Sequence, residues 1–252
     1  MSSDILVNDE GLVTTVTLNR PESLNSMPPP MVNELMAVLA EVDANPSTNV
    51  IVLTGAGKGF CSGADVRSFG SAPDHRVHRR GWRLIHAMLD VEKPMIAKVH
   101  GPAAGLGLVV ALFCDCVIVA DEAKLGDPHV SLGLVAGDGA VAILPLLVGP
   151  QMTKELLLTS RYISGREAAE MGMVNRSVPA TDLDATVDKL AAEFAAQPTY
   201  AARATKAIVN RFVRSAVHDV LDTALAYEEI SRGLPDYPEA VARWRAARTN
   251  GQ

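Results

Sequence analysis

The chain has few of the features that mark secreted, membrane or nucleic-acid-binding proteins. Its three cysteines, Cys61, Cys114 and Cys116, are an odd number and have no clustered histidines, so they predict neither a disulfide framework nor a metal site. No apolar run is long enough to span a membrane, and the first ten residues lack the profile of a signal peptide. A formal net charge of −6 argues against a nucleic-acid surface. We therefore expect a soluble, cytoplasmic protein with no membrane or nucleic-acid partner.

Aromatic residues are also scarce, at 4% of the chain, whereas 48% of the residues are hydrophobic, which predicts an aliphatic core. A length of 252 residues fits one large domain or one and a half small ones. Mixed strand and helix patterns come first, and alanine-rich helical patterns follow after Met171. We divide the chain into a core at residues 1–195, with the binding and active sites, and a helical oligomerisation region at residues 196–252.

The most informative pattern is a buried strand followed by a glycine-rich loop, and it occurs twice. Residues 49–54 form an apolar, β-branched run typical of a buried strand, and residues 55–63 include four glycines. Residues 95–99 and 100–107 repeat the pattern. If the two strands are neighbours, both loops lie at one edge of the sheet, where helix N-termini can present free backbone N–H groups; we expect one helix to start at Ala64. Neither loop matches a nucleotide-binding motif.

These loops carry a resemblance to a known family. Residues 53–66 read LTGAGKGFCSGADV and residues 99–115 read VHGPAAGLGLVVALFCD, and both resemble signature segments of the enoyl-CoA hydratase/isomerase (crotonase) superfamily. Residues 18–27, 125–134 and 163–174 extend the likeness in the same order. The resemblance implies an α/β fold, a crotonase-like spiral of ββα units with a C-terminal all-helical region. It also implies a homotrimer or a dimer of trimers that acts on acyl-CoA, with coenzyme A arriving as part of the substrate and no other cofactor.

The resemblance also implies a role for backbone groups in the two loops. The N–H groups of Ala64 and Leu106 would polarise the thioester carbonyl and stabilise an enolate, which fits the physics of preorganised donors at helix N-termini. Leucine at position 106 replaces a glycine that is frequent in hydratases, and its side chain would narrow the pocket. By the same resemblance, the coenzyme A part of the substrate would contact the following residues: Leu24, Ser62, Gly63, Ala64, Asp65 and Val66.

The acid/base positions depart from the hydratase pattern. Hydratases carry two glutamates, and the matching positions here hold Val109 and His129. His129 can replace one glutamate because imidazole titrates near neutral pH, although it also fits a loop histidine bonded to backbone. Asp138 lies one residue from a position where other family members carry an acidic group. It also fits an N-cap for a helix that starts at Gly139.

The reaction is therefore less determined than the family. We expect enzymatic hydration of 2-enoyl-CoA or a related reaction, with His129 and Asp138 handling protons. A double-bond isomerase, which needs only one base, is the first alternative, and decarboxylation or thioester hydrolysis would use the same oxyanion hole. The loss of both glutamates also leaves open a non-catalytic protein that binds acyl-CoA.

Overall fold

The two predicted glycine-loop strands are neighbours in one six-stranded sheet. The computed structural model describes residues 3–65 and 75–249, without the side chains of residues 75–79 and 247–249. The first two strands are antiparallel and all later neighbours are parallel. In sheet order, the strands are β1 (Ile5–Glu10), β2 (Val13–Leu18), β3 (Val50–Gly55), β4 (Met95–Val99), β6 (Cys116–Ala120) and β9 (Arg176–Val178).

The register of β3 and β4 brings the glycine-rich loops together. Ile51 lies opposite Met95 in a parallel pair, so both strands end at the same edge of the sheet. Residues Val50–Leu53 are almost fully buried, as the uninterrupted apolar run predicts. A small second sheet continues from this edge, in the order β5 (Ala103–Ala104), β7 (Lys124–Gly126) and β8 (Ile163–Ser164).

Eight α-helices are described. The two helices predicted at residues 199–214 and 216–232 are one helix of 34 residues. No glycine or proline lies between them to interrupt it. The α-helices are α1 (Pro29–Ala44), α2 (His75–Asp90), α3 (Leu106–Leu112), α4 (Ala140–Thr159), α5 (Gly165–Glu170), α6 (Leu183–Ala195), α7 (Thr199–Arg232) and α8 (Asp236–Thr249).

The C-terminal helices pack on the core of their own chain. Val217, Leu221 and Leu225 of α7 are buried in the main hydrophobic cluster. In α8, Tyr237 and Val241 form a second buried cluster with Leu134, which lies in the loop before α4. These contacts confirm a mixed α/β region followed by helices. The expected role of residues 196–252 in oligomerisation stays a prediction.

Helix α4 is long and apolar enough to cross a membrane by length and composition alone. Core helices of soluble proteins pass the same test, and Gly149 breaks the helical geometry with φ 76° and ψ 160°. Ile143, Leu144, Leu156 and Leu157 are buried against the rest of the chain. This helix therefore does not point to a membrane protein.

Candidate active site

A large cavity opens where the two glycine-rich loops meet the C-terminal helices. Its volume is about 790 Å³. One part of the wall comes from the loops and from the segment before α1, and another comes from α2, α7 and α8. The residues used below that line the cavity are Arg20, Leu24, Ser62, Gly63, Ala64, Asp65, Arg80, Leu106, His129, Asp138, Glu228, Arg232 and Trp244.

Hydrogen bonds join the two loops into one unit. The N–H groups of Phe60 and Cys61 both donate to the carbonyl oxygen of Pro102 across 3.1 Å, and Ala104 donates to the carbonyl of Cys61 across 3.0 Å. At Gly107 in α3, a Cβ would lie only 2.2 Å from the same Cys61 oxygen. Glycine is therefore required at position 107 for the helix to approach the first loop this closely.

The amides of Ala64 and Leu106 lie close to each other at the cavity wall. Leu106 is the first residue of α3, so its N–H has no partner within the helix. The prediction that a helix starts at Ala64 is wrong, because its backbone pairs with Met27 in an isolated parallel bridge. A Cβ built on Gly63 would lie 3.5 Å from the Leu106 nitrogen. Within the described residues, neither amide donates a hydrogen bond to a protein acceptor.

The residues predicted to contact coenzyme A occupy the cavity wall next to these amides. Leu24 has a left-handed backbone with φ 51° and accepts a hydrogen bond from the Ser62 N–H across 2.9 Å. The Ser62 hydroxyl donates to the Ser23 carbonyl across 3.1 Å. Asp65 is buried, with one carboxylate oxygen 3.6 Å from the Arg20 guanidinium. Val66, which we also predicted, lies outside the described residues.

His129 is held between two carboxylates. Its Nδ1 lies 2.5 Å from Oδ1 of Asp127, which also accepts the His129 backbone N–H across 2.9 Å. Its Nε2 lies 3.7 Å from Oδ2 of Asp138. Burial alone would lower the pKa of His129, but Asp127 and Asp138 together outweigh burial and hold the pKa well above its ordinary value of 6.5. His129 thus belongs to a charge network rather than being bonded only to backbone.

Asp138 presents a nearly buried carboxyl group to the cavity. Its Oδ1 is buried without a hydrogen-bond partner. Burial is the largest influence and raises the pKa of Asp138 to about 7; His129 opposes this rise, whereas the charges of Asp127 and Glu228 add to it. The N-cap of α4 is Gly139, without a side-chain capping bond, so the interpretation of Asp138 as a helix cap is wrong.

Val109, at the other glutamate position of hydratases, is fully buried in apolar surroundings. A Cβ on Gly139 would lie 3.2 Å from side-chain atoms of Val109, Ile85 and Phe113. The side chain of Val109 carries no group that can transfer a proton. Val109 therefore cannot act as the general acid or base that a glutamate at this position would supply.

The sequence analysis did not single out three polar residues at or near the cavity: Glu228, Arg232 and Asn25. Glu228 and Arg232 of α7 are ion-paired across 2.6 Å at the cavity wall, and no sequence signal links them to residues 129–138. Asn25 is fully buried, and its amide donates to the carbonyls of Ala56 and Gly59, each across 2.8 Å. Asn25 lies in residues 18–27, which carry the family resemblance, and this was the one sequence signal that could have pointed to it.

Asp127, His129 and Asp138 also have the spacing of a metal-binding group. Each offers one ligand atom, and these atoms lie within 4.8 Å of one another. The same arrangement suits a proton-transfer site, because Asp127 orients the imidazole through its Nδ1. The expectation that the protein needs no metal stays a prediction.

Comparison with known proteins identifies the family. The model of the enoyl-CoA hydratase/isomerase family matches residues 8–230. A short-chain-enoyl-CoA hydratase of Clostridium acetobutylicum is 32% identical over 92% of this chain and 88% of the relative. A 1,2-epoxyphenylacetyl-CoA isomerase of Escherichia coli K12 is 34% identical over 99% of this chain and 98% of the relative.

Solved structures agree in fold. An enoyl-CoA hydratase/isomerase from Mycobacterium paratuberculosis superposes with a TM-score of 0.86 at 33% identity, covering 96% of this chain and 99% of that one. An enoyl-CoA hydratase from Mycobacterium avium subsp. paratuberculosis K-10 gives a TM-score of 0.89 at 28% identity, with the same coverage. The crotonase fold is therefore confirmed. The chain belongs to the enoyl-CoA hydratase/isomerase family and is an enzyme of the hydratase/isomerase type.

Proposed function

We propose that the protein is an enoyl-CoA isomerase that moves a double bond with one carboxyl group, Asp138. The observation that carries this proposal is the carboxyl of Asp138, buried at the cavity wall with Oδ1 unpartnered and with a pKa raised to about 7. A general acid/base works best when its pKa lies near the working pH, because it can then both take and return a proton.

The reaction needs only one such group. Asp138 removes a proton from the carbon next to the thioester carbonyl of a 3-enoyl-CoA, and the electron pair spreads onto the thioester oxygen as a dienolate. Asp138 then returns the proton to the γ carbon, and the double bond moves into conjugation with the carbonyl. The proton is conserved, so neither water nor a redox cofactor is consumed.

The free amides of Ala64 and Leu106 suit the charge that develops on the thioester oxygen. Both N–H groups line the cavity without a protein acceptor in the described part of the chain, so they can donate to an oxyanion without breaking an existing bond. Preorganised donors of this kind stabilise an enolate more than the neutral thioester. The thioester carbonyl therefore binds between the two loops, with the coenzyme A part along residues 62–65 and Leu24.

A second candidate, hydration of 2-enoyl-CoA, is favoured by the distance between His129 and Asp138. Hydration needs one group to deprotonate water and another to protonate carbon, and Nε2 of His129 lies 3.7 Å from Oδ2 of Asp138. The named relatives include both a hydratase and an isomerase. Isomerisation is preferred because the two glutamate positions of hydratases hold Val109 and His129.

The deciding experiment mixes the purified protein with a 3-enoyl-CoA and, separately, with a 2-enoyl-CoA of short or medium chain length, and follows the absorbance of the conjugated enone. Isomerisation appears as a gain of conjugated-enone absorbance from the 3-enoyl ester, and hydration appears as a loss from the 2-enoyl ester. Asp138→Asn should lower kcat by about 10²–10⁴. Asp188→Asn, an exposed carboxylate on α6, is the matched control.

Each outcome decides between the candidates. Loss of 2-enoyl absorbance with no gain from the 3-enoyl ester would replace isomerisation by hydration. Turnover that survives Asp138→Asn would remove Asp138 from the chemistry. Binding of both esters without turnover would indicate an acyl-CoA-binding protein, and release of free coenzyme A would indicate a thioesterase.

We further propose that the protein works in the cytoplasm as a homotrimer or a dimer of trimers, with acyl-CoA as its partner and no added cofactor. Exposed apolar side chains on α7, among them Ile208, Phe212 and Tyr227, support contacts with a second copy. Light scattering coupled to size-exclusion chromatography tests the assembly. A monomer at micromolar concentration would contradict it.

A further inference from the structure

Glu228 is the one acidic side chain that α7 brings to the wall shared by His129 and Asp138, within the described part of the chain. Its side chain is only 9% exposed. A Cβ on Gly137, the residue before Asp138, would lie 2.6 Å from Oε2 of Glu228 and 2.8 Å from the Ala224 carbonyl. The glycine thus lets the Asp138 loop pack directly on the face of α7 that carries Glu228.

Arg232 holds Glu228 in this position. Its Nη2 donates to Oε1 of Glu228 across 2.6 Å, and its guanidinium lies over the ring of Tyr237 in α8, 5.7 Å from the centroid. Ser231, one helical turn after Glu228, accepts a hydrogen bond from the backbone N–H of Val135 on its hydroxyl oxygen across 3.2 Å. This bond ties the same stretch of α7 to the loop before α4. The position of Glu228 relative to Asp138 is therefore fixed from both sides.

We propose that Glu228 is a positioning residue whose negative charge, partly balanced by Arg232, sets the protonation state of Asp138 before substrate binds. The inference rests on the proposed role of Asp138 and extends it to the C-terminal helix. A negative charge in a poorly solvated cavity makes a neighbouring carboxyl group harder to ionise, and a paired cation limits that effect.

Other charged groups face Asp138, and the test must separate them from Glu228. Asp127 and His129 come from the loop before residue 130, and Arg80 of α2 lines the same cavity. Burial is the largest cause of the raised pKa of Asp138, and the charges of Asp127 and Glu228 add to it against His129. The residue of α3 that faces Gly139 is Val109, whose side chain is apolar and carries no charge.

The test measures the pH dependence of kcat/KM in two variants, one that removes a negative charge near Asp138 and one that removes a positive charge. Glu228→Gln keeps the size of the side chain and an acceptor for Arg232 but removes the negative charge. We expect the acid limb of the profile to move to lower pH by roughly one unit. Arg232→Gln removes the cation and leaves Glu228 uncompensated, so the same limb should move to higher pH.

Two control variants separate charge from packing. Glu229→Gln removes the neighbouring charge on α7, whose carboxylate lies 3.9 Å from Nε of Arg232, and should leave the acid limb in place. Glu228→Asp keeps the charge but shortens the side chain, and should keep the wild-type limb even if kcat falls. If the role of Glu228 is purely structural, Glu228→Gln should be tolerated and should leave the acid limb of the pH profile in place.

A second readout keeps this inference distinct from the proposed reaction. Infrared difference titration of the ligand-free protein follows the carboxyl stretch of Asp138, assigned by its loss in Asp138→Asn. A lower titration midpoint in Glu228→Gln supports the inference even if no isomerase turnover is found. An unchanged midpoint and limb in Glu228→Gln overturns it, even if isomerisation is established.

Discussion

The N–H of Ala104 donates to the carbonyl oxygen of Cys61 across 3.0 Å, and Gly107 packs against that same oxygen. This contact sets the separation of the two loops and therefore the distance between the amides of Ala64 and Leu106. Replacing Gly107 is the simplest way to disturb the proposed oxyanion hole without touching a polar side chain.

Gly107→Ala should reduce kcat by more than tenfold and the free energy of unfolding by about 1–3 kcal/mol. The added Cβ would meet the Cys61 carbonyl at 2.2 Å, so one loop must move. Turnover of a 3-enoyl-CoA and urea unfolding measure the two effects. Gly59→Ala is the control, because its Cβ would have only ordinary contacts at 3.5 Å or more. A Gly107→Ala enzyme with wild-type turnover would contradict the loop geometry described above.

Leu106→Pro should remove one oxyanion donor while keeping α3 folded. Proline is tolerated at the first position of a helix, and Gly105 before it, with φ 50° and ψ −123°, is outside the α region that proline disfavours. We expect kcat to fall by about 10²–10³. Leu106→Ala keeps the N–H and should stay within about tenfold of wild type. Equal kcat values for the two variants would exclude the Leu106 amide from catalysis.

The raised pKa values should make the protein less stable as the pH rises. Asp138 keeps its proton in the folded state up to about pH 7, whereas the unfolded chain loses it near 3.8, so the folded state holds more protons between these values. The free energy of unfolding then falls with rising pH, by up to ~4 kcal/mol across this window. His129 acts in the same direction, since its stabilisation is complete below 6.5 and is lost as the pH passes its raised pKa.

Urea unfolding of wild type and Asp138→Asn at about pH 5, pH 7 and pH 9 tests this dependence. Asp138→Asn should flatten the slope between the two lower values, and Asp188→Asn should not. Asp127 opposes the trend only in acid, because its pKa is lowered and its stabilisation is lost as the pH falls through that value. His100 opposes the trend near pH 6, because burial lowers its pKa, so the comparison between variants decides. An Asp138→Asn variant with the wild-type slope between pH 5 and pH 7 would refute the raised pKa of Asp138.

Asn25→Ala should destabilise the protein and weaken binding of acyl-CoA. The side chain donates to Ala56 and Gly59 and accepts the Arg20 N–H across 2.8 Å, so its loss leaves buried backbone groups unpaired. We expect a loss of about 2–4 kcal/mol in the free energy of unfolding. Asn8→Ala, at an exposed site on β1, should change it by less than about 0.5 kcal/mol. Equal stabilities of these two variants would contradict the role of Asn25.

The local part of this site was predictable from the sequence. The strand at residues 49–54, the strand at residues 95–99 and the glycines after each are short-range patterns. The sequence analysis assumed that the two strands are neighbours, and the structure shows that they pair in parallel. The sequence placed Leu106 within the second glycine-rich loop, whereas in the structure it is the first residue of α3. His129 and Asp138, which the sequence singled out, both line the cavity, and their roles in proton transfer stay predictions.

The long-range part was not predictable, and particular residues show why. Ala64 was expected in a helix but pairs with Met27, a contact that depends on how the loop folds back on a distant segment. Asp138 has the pattern of a helix cap, yet Gly139 takes that position and leaves the carboxyl free for the cavity. Glu228 is ninety residues further along the chain, and only tertiary packing of α7 reveals its proximity.

The packing of α7 and α8 on the cavity has a consequence for how the enzyme comes into being. Glu228, Arg232 and Trp244 are synthesised after the other described residues that line the cavity. A nascent chain that ends at Ala195 would carry both loops and both candidate acid/base residues, but it would lack the part of the cavity wall that α7 and α8 supply. Synthesis of α7 and α8 therefore completes a wall of a cavity whose candidate acid/base residues are already present.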